Sequence, residues 1–404
     1  MLRSIRMALG PVLGYLFIAI YSISFISLGS NKFTLGTLQP YEIVLIAIVL
    51  YSICVLALKK KIITFIGLDW IIIAYVFFAL IPVILSMDNF YIVARDYRHL
   101  FLVPLIAYFA MPLLFEDVQQ LTNAFLFFVV GLLIGSFSLF PEFLRTGNRP
   151  KGYNTITNGL LSSWSAILAF NEGRVRSFFI LKYLMYAVVL LMLMIIALSV
   201  SRGVLIGFIF SCLLSLIIFQ NKLYQRIFIF SLVSGLIVFF VSLSFVSDTS
   251  LKTDEVLSEE YKTKRRTVYR MTTVEFYERD LKKRMELWKK AYYLGLERPI
   301  LGRGAYWYRN LELSTPHNIF ISTFLTSGFI GISLFTILII GAYMNIFSLA
   351  GVKQLNTFST FLFIALTTLL IVGATNDFSG GRYLLFFLLL SGIATTKKIQ
   401  RDME

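Results

Sequence analysis

Long apolar runs alternate with short polar segments along almost the whole chain. Twelve of these runs are long enough to cross about 30 Å of hydrocarbon as helices. They lie at 11–30, 41–58, 69–87, 100–115, 122–141, 153–171, 178–199, 203–220, 227–247, 317–345, 357–375 and 380–396. The pattern predicts an all-α, polytopic integral membrane protein whose residues 1–404 form a single membrane domain. The run 153–171 is diluted by Asn and Ser residues, which predicts a helix that faces a cavity.

One long polar segment, 248–316, separates the ninth predicted span from the tenth. Its second half contains apolar residues at helical spacing: Leu281, Met285, Trp288 and Tyr292. This spacing predicts an amphipathic helix over 281–296 whose apolar stripe lies on the membrane or on the spans. Arg284 falls on the shoulder of that stripe. Trp288 and Trp307 could stack on sugars, although apolar anchoring in lipid is the commoner role of such residues.

The segment after this helix is rich in proline and glycine. Pro299 ends the helix because proline cannot continue it. Gly302 and Gly304 then permit a tight turn with close backbone approach, and Arg303 lies between them. The tenth apolar run contains a further glycine pair, Gly328 and Gly331.

Composition excludes a soluble globule, because 58% of the 404 residues are hydrophobic and only 15% are charged. Both cysteines, Cys54 and Cys212, lie in apolar runs, so neither a disulfide framework nor a CxxC motif is possible. The net charge of +15 is spread between the apolar runs rather than gathered on one soluble domain. We therefore expect membrane lipid, not nucleic acid, to be the partner of the basic residues.

Twelve spans place both termini on one side of the membrane. Lys and Arg are more frequent on that side than in the short loops opposite, which places the termini in the cytoplasm and segment 248–316 outside. The outer short loops are nevertheless basic: they contain Arg95, Arg98, His99, Arg145, Arg149 and Lys151. Such a face could hold a phosphorylated lipid or an anionic sugar. Scattered, solvated loop charges are an equally good interpretation.

Arg202 lies at the outer start of the eighth span. The positive end of the helix dipole disfavours a cation there, unless an anion joins it and is held by the guanidinium group and the free N–H groups together. A snorkelling interfacial arginine is the alternative.

His317 opens the tenth span, also on the outer side. We expect Ser314 or Thr315 to cap that helix, Pro316 to take its first position, and His317 to lie in the first turn. The dipole there favours the uncharged imidazole that a general base requires. A lone histidine is more often structural, and His99 is a weaker candidate.

Three polar residues at span ends, Asp69, Asn376 and Asp377, are interpreted as solvated boundary residues. The sequence contains no clustered His, Cys and carboxylate motif, no P-loop and no nucleophile elbow. Neither a metal nor another cofactor is indicated.

Several short motifs occur in a characteristic order: Ser201-Arg202-Gly203, Arg284 on the loop helix, Pro299 through Gly304, Pro316-His317-Asn318, and Gly328-Phe329-Ile330-Gly331. In this order the chain resembles the O-antigen ligase and O-antigen polymerase superfamily. The resemblance implies a GT-C-like, metal-independent membrane glycosyltransferase with about twelve spans, a helical periplasmic cap, and an active site at the periplasmic face of the bacterial inner membrane.

By position, Arg202, Arg284 and His317 match the functional arginines and histidine of that superfamily. The resemblance implies that Arg202 and Arg284 bind the diphosphate of an undecaprenyl diphosphate-linked glycan donor, with Arg95, Arg98 and Arg303 as further candidates. A ligase transfers the glycan to lipid A-core, whereas a polymerase joins repeat units on the same carrier. The single large outer loop favours the ligase. A lipid-linked sugar flippase or exporter is a third hypothesis, but it would place charged residues near the bilayer midplane.

Overall fold

The computed structural model describes residues 2–27, 40–59, 67–85, 97–146, 155–175, 179–198, 202–219, 274–303, 316–352, 355–375 and 381–403. Within these ranges every regular element is helical. The α-helices are α1 (Leu2–Ser27), α2 (Pro40–Lys59), α3 (Gly67–Leu85), α4 (Val103–Leu114), α5 (Val118–Thr146), α6 (Thr155–Val175), α7 (Phe179–Leu198), α8 (Arg202–Phe219), α9 (Val274–Leu296), α10 (Ile319–Ala350), α11 (Asn356–Thr375) and α12 (Gly381–Met403). A π-helical turn, Arg98–Leu102, leads into α4. The predicted all-α class is confirmed for this part of the chain.

The helices follow the predicted apolar runs. Each run overlaps a helix except 227–247, which lies outside the described residues. Among the described helices, three are long and apolar enough to cross a membrane: Pro40–Ala57, Ile319–Ala350 and Asn356–Ala374. The chain is a multi-pass membrane protein, and the total of twelve spans stays a prediction.

The bundle is held together by apolar and aromatic faces. α1 packs on α2 and α5, α6 packs on α5 and α7, and α11 packs on both α8 and α10. Rings from three helices meet in the core, where Phe125 and Phe128 of α5 contact Phe361 of α11 and Trp164 of α6. Such pairs add to the stabilisation that burial alone provides.

The polar helix α6 lies inside this bundle. Ser162, Ser163, Trp164 and Ser165 are all fully buried. Ser163 Oγ donates to the Leu160 carbonyl at 2.7 Å. Among the described residues, Ser162 Oγ, Ser165 Oγ and Trp164 Nε1 have no hydrogen-bond partner. The polar dilution of this run therefore reflects a buried helix, and the cavity beside it stays a prediction.

α10 is bent sharply at Gly328, where the backbone leaves helical geometry (φ 65°, ψ −161°). The bend folds the first arm, 319–327, back beside the second arm, 329–350, so that the rings of Phe320 and Phe335 lie 6.0 Å apart. In a straight helix these two residues would be about 22 Å apart. The helix predicted over 317–345 is therefore present but not continuous, because a positive φ at Gly328 interrupts it.

The second arm of α10 runs antiparallel to α11. Tyr343 Oη lies 2.8 Å from Thr367 Oγ1, and the rings of Phe347 and Phe363 are 5.9 Å apart. Continued along both helices, this register places the end of α11 beside about residue 336 of α10. The bend at Gly328 therefore lies roughly 12 Å beyond the end of α11.

Asp69, in the first turn of α3, is buried and accepts a hydrogen bond from Tyr108 Oη at 2.5 Å. Its interpretation as a solvated boundary residue is wrong. A carboxylate can be buried here because it has a hydrogen-bond donor and lies at the positive end of a helix dipole. Asn376 and Asp377 lie outside the described residues.

Candidate functional site

The helix predicted over 281–296 is present as α9 and begins earlier, at Val274. The buried face coincides only in part with the predicted stripe. Ala291 is buried with Leu325 of α10, and Gly295 contacts the ring of Phe324. Met285 and Tyr292 are 47% and 49% exposed. The predicted stripe is thus confirmed in part: the ring of Tyr292 lies 6.0 Å from the ring of Phe324, while Ala291 and Gly295 form the buried part of the contact with α10.

The face of α9 that contacts α10 contains Arg284, Trp288, Ala291 and Gly295, which recur at intervals of four and three residues. Trp288 Nε1 donates a hydrogen bond of 2.6 Å to the carbonyl oxygen of Pro316. Arg284 is half-buried and lies one helical turn before Trp288. The loop helix is therefore fixed directly to the residue that precedes His317.

The chain after α9 enters the bend of α10. Phe329 N donates to Pro299 O at 2.7 Å, and Arg303 N donates to Leu325 O at 2.6 Å. Both Gly302 (φ 73°) and Gly328 have positive φ. The predicted close backbone approach at Gly302 is confirmed, whereas Gly304 lies outside the described residues.

The side chain of Arg303 fastens this turn to α9. Its Nε donates to the Leu294 carbonyl at 2.9 Å, and its guanidinium group forms an ion pair with Glu297. The first contact satisfies one carbonyl of the last turn of α9, where carbonyls have no partner within the helix. A role of Arg303 in diphosphate binding stays a prediction.

His317 lies outside α10, so its predicted place in the first helical turn is wrong. The N-cap is Asn318, whose Oδ1 accepts hydrogen bonds from Phe320 N at 2.9 Å and Ile321 N at 3.1 Å. His317 precedes this cap, is exposed and has a φ of 49°. The left-handed conformation at His317 prevents the helix from starting earlier, and Ser314 and Thr315 lie outside the described residues.

Asn318 also connects this segment to the bundle, because its Nδ2 donates to the Ala374 carbonyl at the end of α11. Arg202 is the first residue of α8, as predicted. A Cβ on Gly207, one and a half turns later in α8, would lie 3.3 Å from the Thr368 carbonyl, near the same end of α11. The start of α8 and His317 therefore lie at the same end of the bundle.

Arg98 is the first residue of the π-helical turn, and its Nε lies 3.5 Å from Glu42 Oε1 of α2. Glu42 is almost fully buried, whereas about a third of the Arg98 side chain is exposed. This distance describes an ion pair rather than a well-formed hydrogen bond. The sequence did not identify Glu42, although a carboxylate in the first turn of an apolar helix is a recognisable signal.

A row of rings connects the Arg98 turn to the start of α10. Tyr97 contacts Phe101 at a centroid distance of 5.3 Å, and Phe101 contacts Tyr75 at 6.0 Å. Tyr75 contacts Phe335 at 5.9 Å, and Phe335 in turn contacts Phe320, three residues after His317. Arg98 and His317 are thus on elements that share one aromatic layer.

The described elements therefore bring Arg98, Arg202, Arg284 and His317 to one end of the helical bundle. Three arginines and a solvent-accessible imidazole at the same end of the bundle suit an anionic substrate whose reaction requires a proton acceptor. Arg95, Arg149 and Lys151 lie outside the described residues, so their contribution to the basic face stays a prediction. Trp307 also lies outside them, and its contact with sugars or lipid stays a prediction.

The fold and the site define a multi-pass, all-helical membrane protein in which a helix of a long polar segment docks beside an exposed histidine. Residues 187–336 match the sequence model of the O-antigen ligase family. The match confirms the resemblance over this part of the chain, which includes Arg202, Arg284 and His317, and it indicates a function of O-antigen ligase or polymerase type. A comparison with curated proteins finds no match.

Proposed function

We propose that this protein is an O-antigen ligase that transfers a polysaccharide from undecaprenyl diphosphate to lipid A-core at the periplasmic face of the bacterial inner membrane. The transfer is metal-independent and inverts the anomeric centre. Residues 274–303 and the first arm of α10 form the periplasmic cap, and both termini are cytoplasmic.

The observation that carries this proposal is the hydrogen bond from Trp288 Nε1 to Pro316 O. It places the helix of Arg284 directly against the segment of His317, although these residues are far apart in the sequence. An arginine that binds the leaving group and a base that takes the acceptor proton must both lie near the same anomeric carbon, so this docking supports a shared role. The position of Arg202 at the same end of the bundle supports it further.

In the proposed reaction, an acceptor hydroxyl oxygen attacks the anomeric carbon of the donor sugar while the bond from that carbon to the diphosphate oxygen breaks. His317 takes the hydroxyl proton, and the electron pair of the broken bond leaves with the undecaprenyl diphosphate. Arg202 and Arg284 bind that diphosphate and stabilise its growing charge, with Arg98 and Arg303 as further contacts. The attack occurs in one step from the face opposite the leaving group, which explains the inversion.

A deletion strain with a known surface polysaccharide tests this function. We expect polymer to accumulate on its lipid carrier and to be absent from lipid A-core. Complementation with the wild-type chain should restore the linked polysaccharide, whereas the Arg284→Ala variant at matched membrane abundance should not. A core carrying a single repeat unit in the deletion strain would instead identify a polymerase acting on the same carrier. Unchanged surface polysaccharide would refute both functions.

A further inference from the structure

Hydrogen bonds join residues 274–303 to α10 and to Pro316 just before it, and they are unevenly placed. Three backbone hydrogen bonds lie at the bend: Phe329 N to Pro299 O, Ile330 N to Ile300 O, and Arg303 N to Leu325 O. A further hydrogen bond, from Trp288 Nε1 to Pro316 O, lies at the opposite end of the first arm, beside His317. The contacts at the bend hold α9 by its C-terminal end, and the Trp288 contact holds it near Arg284.

The hydrogen bond of Trp288 restricts the movement of Arg284, because the two residues lie close together along α9. Gly295, which packs on Phe324, lies about 16 Å along the helix from Arg284. If α9 pivoted there by about 10°, Arg284 would move by roughly 3 Å. Trp288 lies only about 6 Å along the helix from Arg284, so its hydrogen bond opposes such a movement. A misplacement of about 1 Å in a reacting geometry can reduce a rate about 100-fold.

The acceptor of this hydrogen bond, the Pro316 carbonyl, also affects the backbone conformation of His317. The Pro316 carbonyl belongs to the peptide unit that precedes His317, and the orientation of that unit helps to define the φ of 49° at His317. A non-glycine residue with positive φ is uncommon, and the surrounding structure must hold it in place. Trp288 is half-buried and contacts this unit directly.

We infer that Trp288 is a positioning residue, whose indole N–H fixes the distance between Arg284 and His317 and orients the His317 backbone. The inference rests on the proposed function, because it assigns Trp288 to the same site. It differs from the two other roles considered for Trp288, sugar stacking and lipid anchoring, because neither role requires the indole N–H to bond to the Pro316 carbonyl.

The sharpest test replaces Trp288 by benzothienylalanine, which keeps the shape of the indole but contains sulfur in place of N–H. Trp288→Phe is the genetically encoded second variant. The matched control is Tyr293→Phe, because Tyr293 is on the same helix and is 67% exposed. Transfer of polysaccharide from undecaprenyl diphosphate to lipid A-core is measured for purified protein, together with its thermal midpoint.

We expect the benzothienylalanine variant to lose about 10- to 100-fold in kcat per folded molecule while its thermal midpoint stays close to wild type. The Tyr293→Phe control should keep wild-type kcat. In a double-mutant cycle with Arg284→Lys, the two losses should be less than multiplicative, because both variants disturb the same geometry. A Trp288→Phe variant that fails to fold does not affect this test, since benzothienylalanine retains the packing of the ring.

Wild-type kcat in the benzothienylalanine variant would overturn the inference and return Trp288 to stacking or anchoring. A lower thermal midpoint with unchanged kcat per folded molecule would also overturn it, since that result describes a structural contact alone. If the proposed function itself were wrong, the wild-type protein would show no transfer in the same assay. This result separates a failure of the proposed function from a failure of the inference about Trp288.

Discussion

Gly302 and Gly328 lie against each other where the chain after α9 enters the bend of α10. A Cβ on Gly302 would lie 2.6 Å from Gly328 N, and a Cβ on Gly328 would lie 2.6 Å from Pro299 O. Both glycines have positive φ, which disfavours any other residue. The two positions thus allow one backbone segment to insert into the other, and this insertion joins the loop helix to the bent helix.

Gly328→Ala should therefore destabilise the protein by about 2 kcal/mol or more, because the methyl group meets backbone atoms that cannot move independently and the conformation is left-handed. The thermal midpoint of detergent-solubilised protein measures this loss. Gly351→Ala is the matched control, since Gly351 has helical geometry (φ −66°) and its Cβ would meet only an ordinary contact at 3.5 Å. Equal midpoints for Gly328→Ala and the control would contradict the insertion.

The sequence was sufficient to predict the helices, because apolar runs of span length have few other stable structures in a membrane. It was also sufficient to place Arg202 at a helix start and Arg284 on a loop helix. It could not predict the bend at Gly328, since glycines within an apolar run are compatible with a straight span. The bend in α10 depends on the contact between Gly302 and Gly328. This contact is tertiary, so the local sequence does not reveal it.

The start of α10 was mispredicted for a local reason. Ser, Thr and Asn are all good N-cap residues, so the motif that contains Ser314, Thr315 and Asn318 allows several starting points. The left-handed backbone of His317 selects Asn318. The predicted stripe of α9 left out Ala291 and Gly295, because small residues carry little apolar signal, although they permit the close approach to α10.

Asn318 caps the N-terminus of α10 and also donates a hydrogen bond to α11. Two substitutions should separate the contributions of these contacts to stability. Asn318→Ala loses the N-cap and the hydrogen bond to the Ala374 carbonyl, which should cost about 1 kcal/mol for the cap and more for the second contact. Asn318→Asp keeps the cap acceptor but has no N–H for Ala374. We expect thermal midpoints in the order wild type, Asn318→Asp, Asn318→Ala. An Asp variant equal to wild type would show that the contact with α11 contributes no stability.

Adjacent serines in α6 provide an internal comparison. Ser162 Oγ has no partner among the described residues, whereas Ser163 Oγ donates to the Leu160 carbonyl. Ser162→Ala should leave the thermal midpoint unchanged or raise it, because it removes a buried polar group that has no hydrogen bond. Ser163→Ala should lower it slightly. A larger loss for Ser162→Ala would contradict this expectation and would indicate a polar partner in a cavity beside α6.

Arg202→Lys tests how the proposed diphosphate contact is made, because lysine keeps the charge and removes only the planar fork of the guanidinium group. If Arg202 binds two diphosphate oxygens at once, the change should cost about 1.5 to 3 kcal/mol. That corresponds to roughly ten- to hundredfold in transfer rate at matched membrane abundance. Activity within about twofold of wild type would instead identify a snorkelling arginine.

In the proposed reaction, His317 accepts the proton of the attacking hydroxyl at a site where the arginines bind the donor diphosphate. This step is tested most directly by single-turnover transfer with purified His317→Ala protein, using undecaprenyl diphosphate-linked polysaccharide and lipid A-core, with donor affinity measured on the same samples. We predict that the transfer rate falls by about 100- to 10,000-fold while donor affinity stays near wild type, because a base assists the chemical step without holding the diphosphate. Transfer at the wild-type rate by the His317→Ala protein would contradict the account.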